Sequence, residues 1–135
     1  MTVREALVSD PRVVQAGAPA REAAELLTHP NVRSALVVDG HRLVGSITPE
    51  SIVAAVSRGV DLTAATAADL AQHGVPTIDP NAHIDEALLL MGEHDLERLP
   101  VVEDGRLLGV LLREPLLRRL AEDEAPGDPE VQQQT

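Results

Sequence analysis

Few side chains here could do chemistry, and their spacing excludes most of it. The five histidines are His29, His41, His73, His83 and His94. No two share the i, i+4 or His-x-His spacing that puts ligands on one element, so they predict no metal site. Ser46 and Ser57 lack the His and Asp pattern of an activated nucleophile. Cysteine is absent, which removes thiolate nucleophiles, thiolate ligands and disulfides. Lysine is absent too, which removes Schiff-base chemistry and a Walker-type phosphate loop. Anion and hydroxyl chemistry remain. Arg33 and Arg98 stand before two apolar runs at nearly equivalent places, each suited to a phosphate, to a solvated position or to an ion pair with a nearby acid. Arg113, Arg118 and Arg119 cluster beside Glu114, on a solvated helix face or at a contact. Thr48-Pro49-Glu50 reads as a helix start, with a capping hydroxyl, Pro in the first turn and an acid near the positive end of the dipole.

The elements that position these residues come in duplicate. Ala35-Leu36-Val37-Val38-Asp39-Gly40-His41-Arg42-Leu43-Val44-Gly45-Ser46-Ile47-Thr48 is matched 64 residues later, without a gap, by the run from Leu99 to Leu112. Each copy is an apolar run, an acidic-Gly turn, a second apolar run and a Gly, which predicts a hairpin. Upstream, Pro19 to His29 and His83 to Glu93 predict matching helices, the second with a weak capping box from His83 to Glu86. Val13-Val14 and Thr77-Ile78 predict short strands. Thr2 to Leu7 and Thr66 to Ala71 predict helical lead-ins. A helix continues from Thr48 to a stop at Gly59, and another runs from near Pro115 to about Ala121.

The expected fold class is therefore a mixed α/β (α+β) architecture of two β-α-β-β-α repeats. Residues 1–59 form the first repeat, 60–65 a linker, 66–121 the second repeat and 122–135 a disordered acidic tail. Either repeat alone is too small to bury a sufficient core, so the two must share one. No Phe, Tyr or Trp is present, so that core is aliphatic. The net charge of −11 argues against nucleic-acid partners and resists polyanions unless arginines cluster. No apolar run approaches membrane-spanning length and no signal pattern opens the chain, so the expectation is a cytoplasmic protein without membrane contact.

The arrangement resembles a tandem cystathionine β-synthase (CBS) domain pair. Glu22-Ala23-Ala24 to Leu27, Leu36-Val37-Val38-Asp39 and Leu43-Val44-Gly45-Ser46-Ile47-Thr48 carry the match in the first copy. Ile84-Asp85-Glu86-Ala87 to Met91, Leu99-Pro100-Val101-Val102 and Leu107-Leu108-Gly109-Val110 carry it in the second. The resemblance implies repeats packed about a pseudo-twofold axis and modules that pair into flat homodimers through their helices. It also implies clefts for adenosine-containing ligands such as AMP, ADP, ATP, S-adenosylmethionine or NAD. Such modules sense rather than catalyse, so the resemblance implies no enzyme and an effector protein elsewhere.

The family's nucleotide signature is Gly, two residues, Ser or Thr, two residues, then Asp. Its hydroxyl meets phosphate at a helix N-terminus and its Asp accepts from the ribose. The first copy keeps Gly45 and Thr48 but has Ser51 at the Asp position, while the second has Leu112 and Pro115. A neutral ribose bond from Ser51 in place of a charged one weakens binding about tenfold. Expected ligand contacts are Thr48, Ser51 and Arg98, with Val14, Ala35 and Leu36 against the purine. The plainer readings are Thr48 as a cap only, Ser51 as a solvent-facing helix residue and the aliphatics as core. Two functions follow: a stand-alone regulatory module for an adenosine ligand, or a ligand-independent dimerisation module with decayed sites.

Overall fold

The computed structural model describes residues 1–10 and 12–124. The elements are α1 (Val3–Ala6), β1 (Val13–Gln15), α2 (Ala20–Leu26), β2 (Ala35–Asp39), β3 (Arg42–Ile47) and α3 (Pro49–Ser57), then α4 (Ala67–Leu70), α5 (Ile84–Glu93), β4 (Arg98–Glu103), β5 (Arg106–Leu112) and α6 (Arg113–Glu124). The strands form one sheet in the order β1-β2-β3-β5-β4. Both hairpins form where their turn chemistry puts them. Asp104 and Gly105 both take the left-handed conformation, at φ 52° and 83°, that a two-residue turn between twisted strands requires. Each hairpin carries the same irregularity, between Val37 and Val38 and again between Val101 and Val102. The tips meet across the pseudo-twofold: Leu43 N–H donates to Gly105 O (3.1 Å) and Leu107 N–H to His41 O (2.8 Å).

The two sequence copies exchange their lead-ins. Val3 of α1 is fully buried with Ile84, Met91, Leu99 and Leu111 of the second half. Ala67 and Leu70 of α4 pack with Val14, Val37 and Ile47 of the first half. Backbone bonds fix the exchange: Val3 N–H donates to Ala82 O (2.9 Å) and Ala67 N–H to Ala18 O (2.8 Å). Beyond the lead-ins the chain crosses between halves again. Val8 and Val110 exchange two bonds, as do their offset mates Gln72 and Ser46, at 2.8 to 3.0 Å. Gly109 and Gly45 lie under these crossings. A Cβ on Gly109 would stand 2.5 Å from Val8 O, and one on Gly45 2.2 Å from Gln72 O. Glycine at the repeat's fixed position is thus a requirement of backbone approach between halves.

Local expectations shift in four places. Thr77-Ile78 is a single parallel bridge, not a strand, pairing Ile78 with Val101. In the first half Leu36 N–H donates to Arg12 O (2.9 Å), but its mate is Pro100, which has no N–H to give. The helix expected from Pro19 to His29 spans Ala20–Leu26, because the Thr28 hydroxyl takes the Glu25 carbonyl at 2.7 Å and Asn31 turns the chain at φ 70°. His83 caps α5 through Nδ1, which accepts from Asp85 N–H (3.1 Å), and not through a box with Glu86. Finally, α6 continues past Ala121 to Glu124, three residues into the expected tail. Residues 125–135 of that tail lie outside the described residues.

Candidate functional site: a cleft between the halves

A cleft of about 270 Å³ opens where the two halves meet. Its walls are aliphatic, with Leu36, Leu96, Pro100 and Val110 among them, and it is edged by Ser34, Ser46, Thr48 and His73. A second cavity of about 500 Å³ continues it, sharing Ser34, Thr48, Leu96 and Arg98 and adding Arg12, Arg33, Glu50, Asp95 and Glu97. An apolar slot with a few convergent polar groups is the usual form of a small-molecule site.

Thr48 stands at the N-cap of α3, extended at φ −125°. Its Oγ1 accepts the Ser51 N–H at 3.1 Å. A capping hydroxyl uses one lone pair, so its proton stays available to an acceptor in the cleft. Pro49 has no N–H and Ser51 N–H is taken by the cap, which leaves the Glu50 N–H at the mouth of the helix. Beside it the Glu50 carboxylate sets a negative charge against an incoming anion.

Arg98 is the other fixed point. Its side chain is 11% exposed and the Asp10 side chain beside it 3%. Arg98 Nη1 donates to Asp10 Oδ2, while Nη2 donates to Ser34 O (2.7 Å) and to Ser34 Oγ (2.9 Å). Arg12 N–H holds Asp10 Oδ1 at 2.9 Å. Burial pushes the Arg98 guanidinium below the usual arginine range, Asp10 pulls it back up and Arg12 lowers it again. Arginine stays charged at any physiological pH, so the pair is a permanent one. Ser34 and Arg98 are mates at the 64-residue offset, so this contact spans the pseudo-twofold axis itself.

The structure brings Thr48, Leu36 and Arg98 to the cleft and leaves the other expected contacts elsewhere. Val14 is 3% exposed in the core of the first half, because alternation along β1 turns Val13 and Gln15 the other way. Ala35 is fully buried for the same reason: its neighbours Ser34 and Leu36 face the cleft. Ser51 is 2% exposed, so it does not face solvent. Its hydroxyl accepts from Thr48 N–H (2.9 Å) and donates to Thr48 O (3.0 Å), closing a reciprocal cap. Arg33 is exposed on the cleft rim. Sequence reasoning missed Arg12 and the 72–76 segment as cleft residues, and Asp10 as the buried partner of Arg98. The offset that pairs Gln72 with Val8 was the available signal, but the crossing that brings both to the axis is purely tertiary.

A family model for the CBS domain matches residues 3–58 and again 67–122. The chain belongs to the CBS domain family. It is a CBS pair, and the two matches coincide with the duplicated unit. Hypoxic response protein 1 of Mycobacterium tuberculosis is 38% identical over 85 residues, 62% of this chain and 59% of that protein. This CBS pair thus aligns with less than two thirds of that relative's length. A solved structure of Hypoxic Response Protein I with two coordinated zinc ions matches at a TM-score of 0.73 and 28% identity, over 88% of this chain and 98% of that one. A structure of CBSX2 in complex with AMP matches at 0.72 and 25%, over 90% and 97%. Among the described residues of this CBS pair, no group of three His, Asp or Glu stands close enough to hold a metal ion. Among the same residues, no helix is long and apolar enough to cross a membrane.

Proposed function

We propose that this CBS pair is a regulatory module that senses an adenosine-containing ligand in the cleft at Thr48 and acts on a partner protein. The carrying observation is the juxtaposition of the free Thr48 proton with the aliphatic slot of Leu36, Leu96 and Pro100. The AMP bound by CBSX2 supports the ligand class. Thr48, Leu36 and Arg98 are the contacts proposed, with Arg12 and Arg33 at the rim. The charge balance ranks ligands. Arg98 is already neutralised by Asp10, and Asp95 and Glu97 stand against Arg113, which leaves Arg12 and Arg33 with Glu50 at the rim. A ligand of low negative charge is favoured, so AMP binds more tightly than ATP. A cytoplasmic setting, where such nucleotides are abundant, belongs to the same proposal.

Thermal unfolding with each ligand tests this. A ligand at 100 times its dissociation constant stabilises by about 2.7 kcal/mol. The expected result is a shift with AMP that exceeds the shift with ATP and is lost in Thr48→Val. Thr48→Ser, which keeps both cap and proton, retains it. Specific observations favour a second reading, a ligand-independent dimerisation module. Ser51 is consumed by the cap and Arg98 by Asp10. Absence of any shift with AMP, ADP, ATP, S-adenosylmethionine or NAD at about millimolar concentration would leave that reading standing and remove the first.

A further inference from the structure

A row of charge crosses the sheet at the hairpin tips. Asp39 of β2 is registered with Arg42 of β3, Arg42 with Arg106 of β5, and Arg106 with Glu103 of β4. Residues directly opposite share a face, so the order across the strands is acid, Arg, Arg, acid. Arg42 and Arg106 are mates at the 64-residue offset, so the pseudo-twofold axis passes between them. Among the described residues theirs is the one registered pair that joins β3 to β5. It is a non-hydrogen-bonded pair, because the flanking bonds run from Leu43 N–H to Gly105 O and from Leu107 N–H to His41 O. Opposite side chains come closest in such a pair, with Cβ atoms about 4.5–5.5 Å apart, and like charges placed there repel.

The neighbouring acids do not relieve the repulsion. Glu103 is taken by Arg4 at 3.1 Å. Among the described residues Asp39, Arg42 and Arg106 make no ion pair. Arg42 lies instead over the opposite turn: a Cβ on Gly105 would stand 2.5 Å from its Nη2, and its Nη1 is 3.5 Å from Asp104 O. A chain of net charge −11 thus holds two exposed arginines side by side at its axis.

We propose that this arginine pair is an anion site that takes one phosphate dianion across the axis. Two guanidinium groups offer N–H donors from both sides, in the geometry that suits phosphate oxygens. One dianion replaces a like-charge contact with two charge-assisted ones and ties β3 to β5 where the halves meet. Asp39, Glu103 and Asp104 flank the pair and disfavour extended polyanions, so the ligand is compact: inorganic phosphate or the phosphate of a small monoester. The site stands six residues along β3 from Thr48, about 20 Å, so it is separate from the cleft and independent of the adenosine reading.

Titration at constant ionic strength, followed by the arginine Nε–Hε resonances, tests this, with inorganic phosphate and methyl phosphate as separate arms. The expected result is that the Arg42 and Arg106 signals move together and saturate at about millimolar phosphate, the tighter arm identifying free ion or monoester as the ligand. Arg42→Gln and Arg106→Gln each weaken binding about tenfold. Thermal melts give a second readout. Without phosphate both variants melt above the parent, because the repulsion is gone, and saturating phosphate raises the parent past them. Signals that stay still, signals that move only at Arg12, Arg33 or Arg98, or variants that respond to phosphate as the parent does would overturn the proposal.

Discussion

Replacing Asp10 with Asn is the most informative single change to this molecule. It removes one charge and little else, since Oδ1 can still accept the Arg12 N–H. Arg98 then keeps a charge in a site where its side chain is only 11% exposed. Breaking a buried ion pair by losing one partner costs about 3–5 kcal/mol. Ser34 still accepts two bonds from Nη2, so the lower end, about 3 kcal/mol, applies. With a urea slope of about 1.5 kcal/mol/M, that moves the midpoint down by roughly 2 M. Far-UV circular dichroism is the assay, because the chain has no Trp or Tyr to report. Adding Arg98→Met to Asp10→Asn removes the stranded charge and should recover at least half of the loss. A midpoint shift under about 0.3 M for Asp10→Asn would mean that water reaches the pair. The axis would then be an open cleft floor with no desolvated charge in it.

Three further outcomes follow from the backbone and cap geometry. Gly45→Ala and Gly109→Ala each force a Cβ against a backbone carbonyl of the other half, at 2.2 and 2.5 Å, and should destabilise by about 1–3 kcal/mol or more in the same urea assay. Gly92→Ala, in α5 with nothing within 4 Å, should be neutral or stabilising by up to about 1 kcal/mol. Glu5 caps α1 by accepting the Thr2 N–H (2.7 Å), and the Thr2 N–H and hydroxyl hold its carboxyl below the ordinary value. A lowered folded value gives stability that is complete above the unfolded value near about 4.3 and is lost as pH falls through the folded one. Glu5→Gln should therefore flatten part of the acid limb of stability below about pH 5, measured by thermal melts across pH.

What was legible in the sequence was local. Gly40 and Asp104-Gly105 fix the hairpin turns, Thr48-Pro49 fixes the start of α3, and Thr66 with Asp69 fixes the start of α4, where Thr66 N–H meets Asp69 Oδ2 at 2.9 Å. Each of these is a bond or a dihedral spanning a few residues, so pattern suffices. The exchange of α1 and α4 between halves is not local: nothing near Val3 marks Ile84 as its neighbour. Ser51 illustrates the limit within the site. Its spacing from Gly45 places it at the ribose position of the family signature. The same three-residue spacing from Thr48 also makes a reciprocal cap, and the cap is what the structure contains. For Arg98 a phosphate contact, a solvated charge and an ion pair all stayed open, because Asp10, 88 residues away, reaches it only through the fold.

The duplication also bears on stoichiometry, and here the departures from symmetry decide. A symmetric pair would offer one site at α3 and one at α6. At α3 the Thr48 hydroxyl keeps a free proton and Pro49 leaves the helix mouth uncovered. At α6 the mate of Thr48 is Leu112, which has no polar atom to offer. The mate of Pro49 is Arg113, whose N–H already donates to Glu97 O at 2.9 Å. Arg113 also leans on Asp95 (3.5 Å) and Glu97 (3.6 Å), which closes that end with the protein's own charges. An adenosine ligand at α6 would have to displace these bonds and would gain no hydroxyl in return. Loss of one such bond costs about 1 kcal/mol and displacement of the Glu97 carbonyl from the Arg113 N–H costs as much again, so the second site should be at least tenfold weaker. Titration calorimetry on the intact chain should therefore give one AMP per chain. Thr48→Val should abolish that event without revealing another. Two equivalent binding events per chain would refute the asymmetry, because α6 would then be accepting phosphate without a hydroxyl and past an occupied N–H.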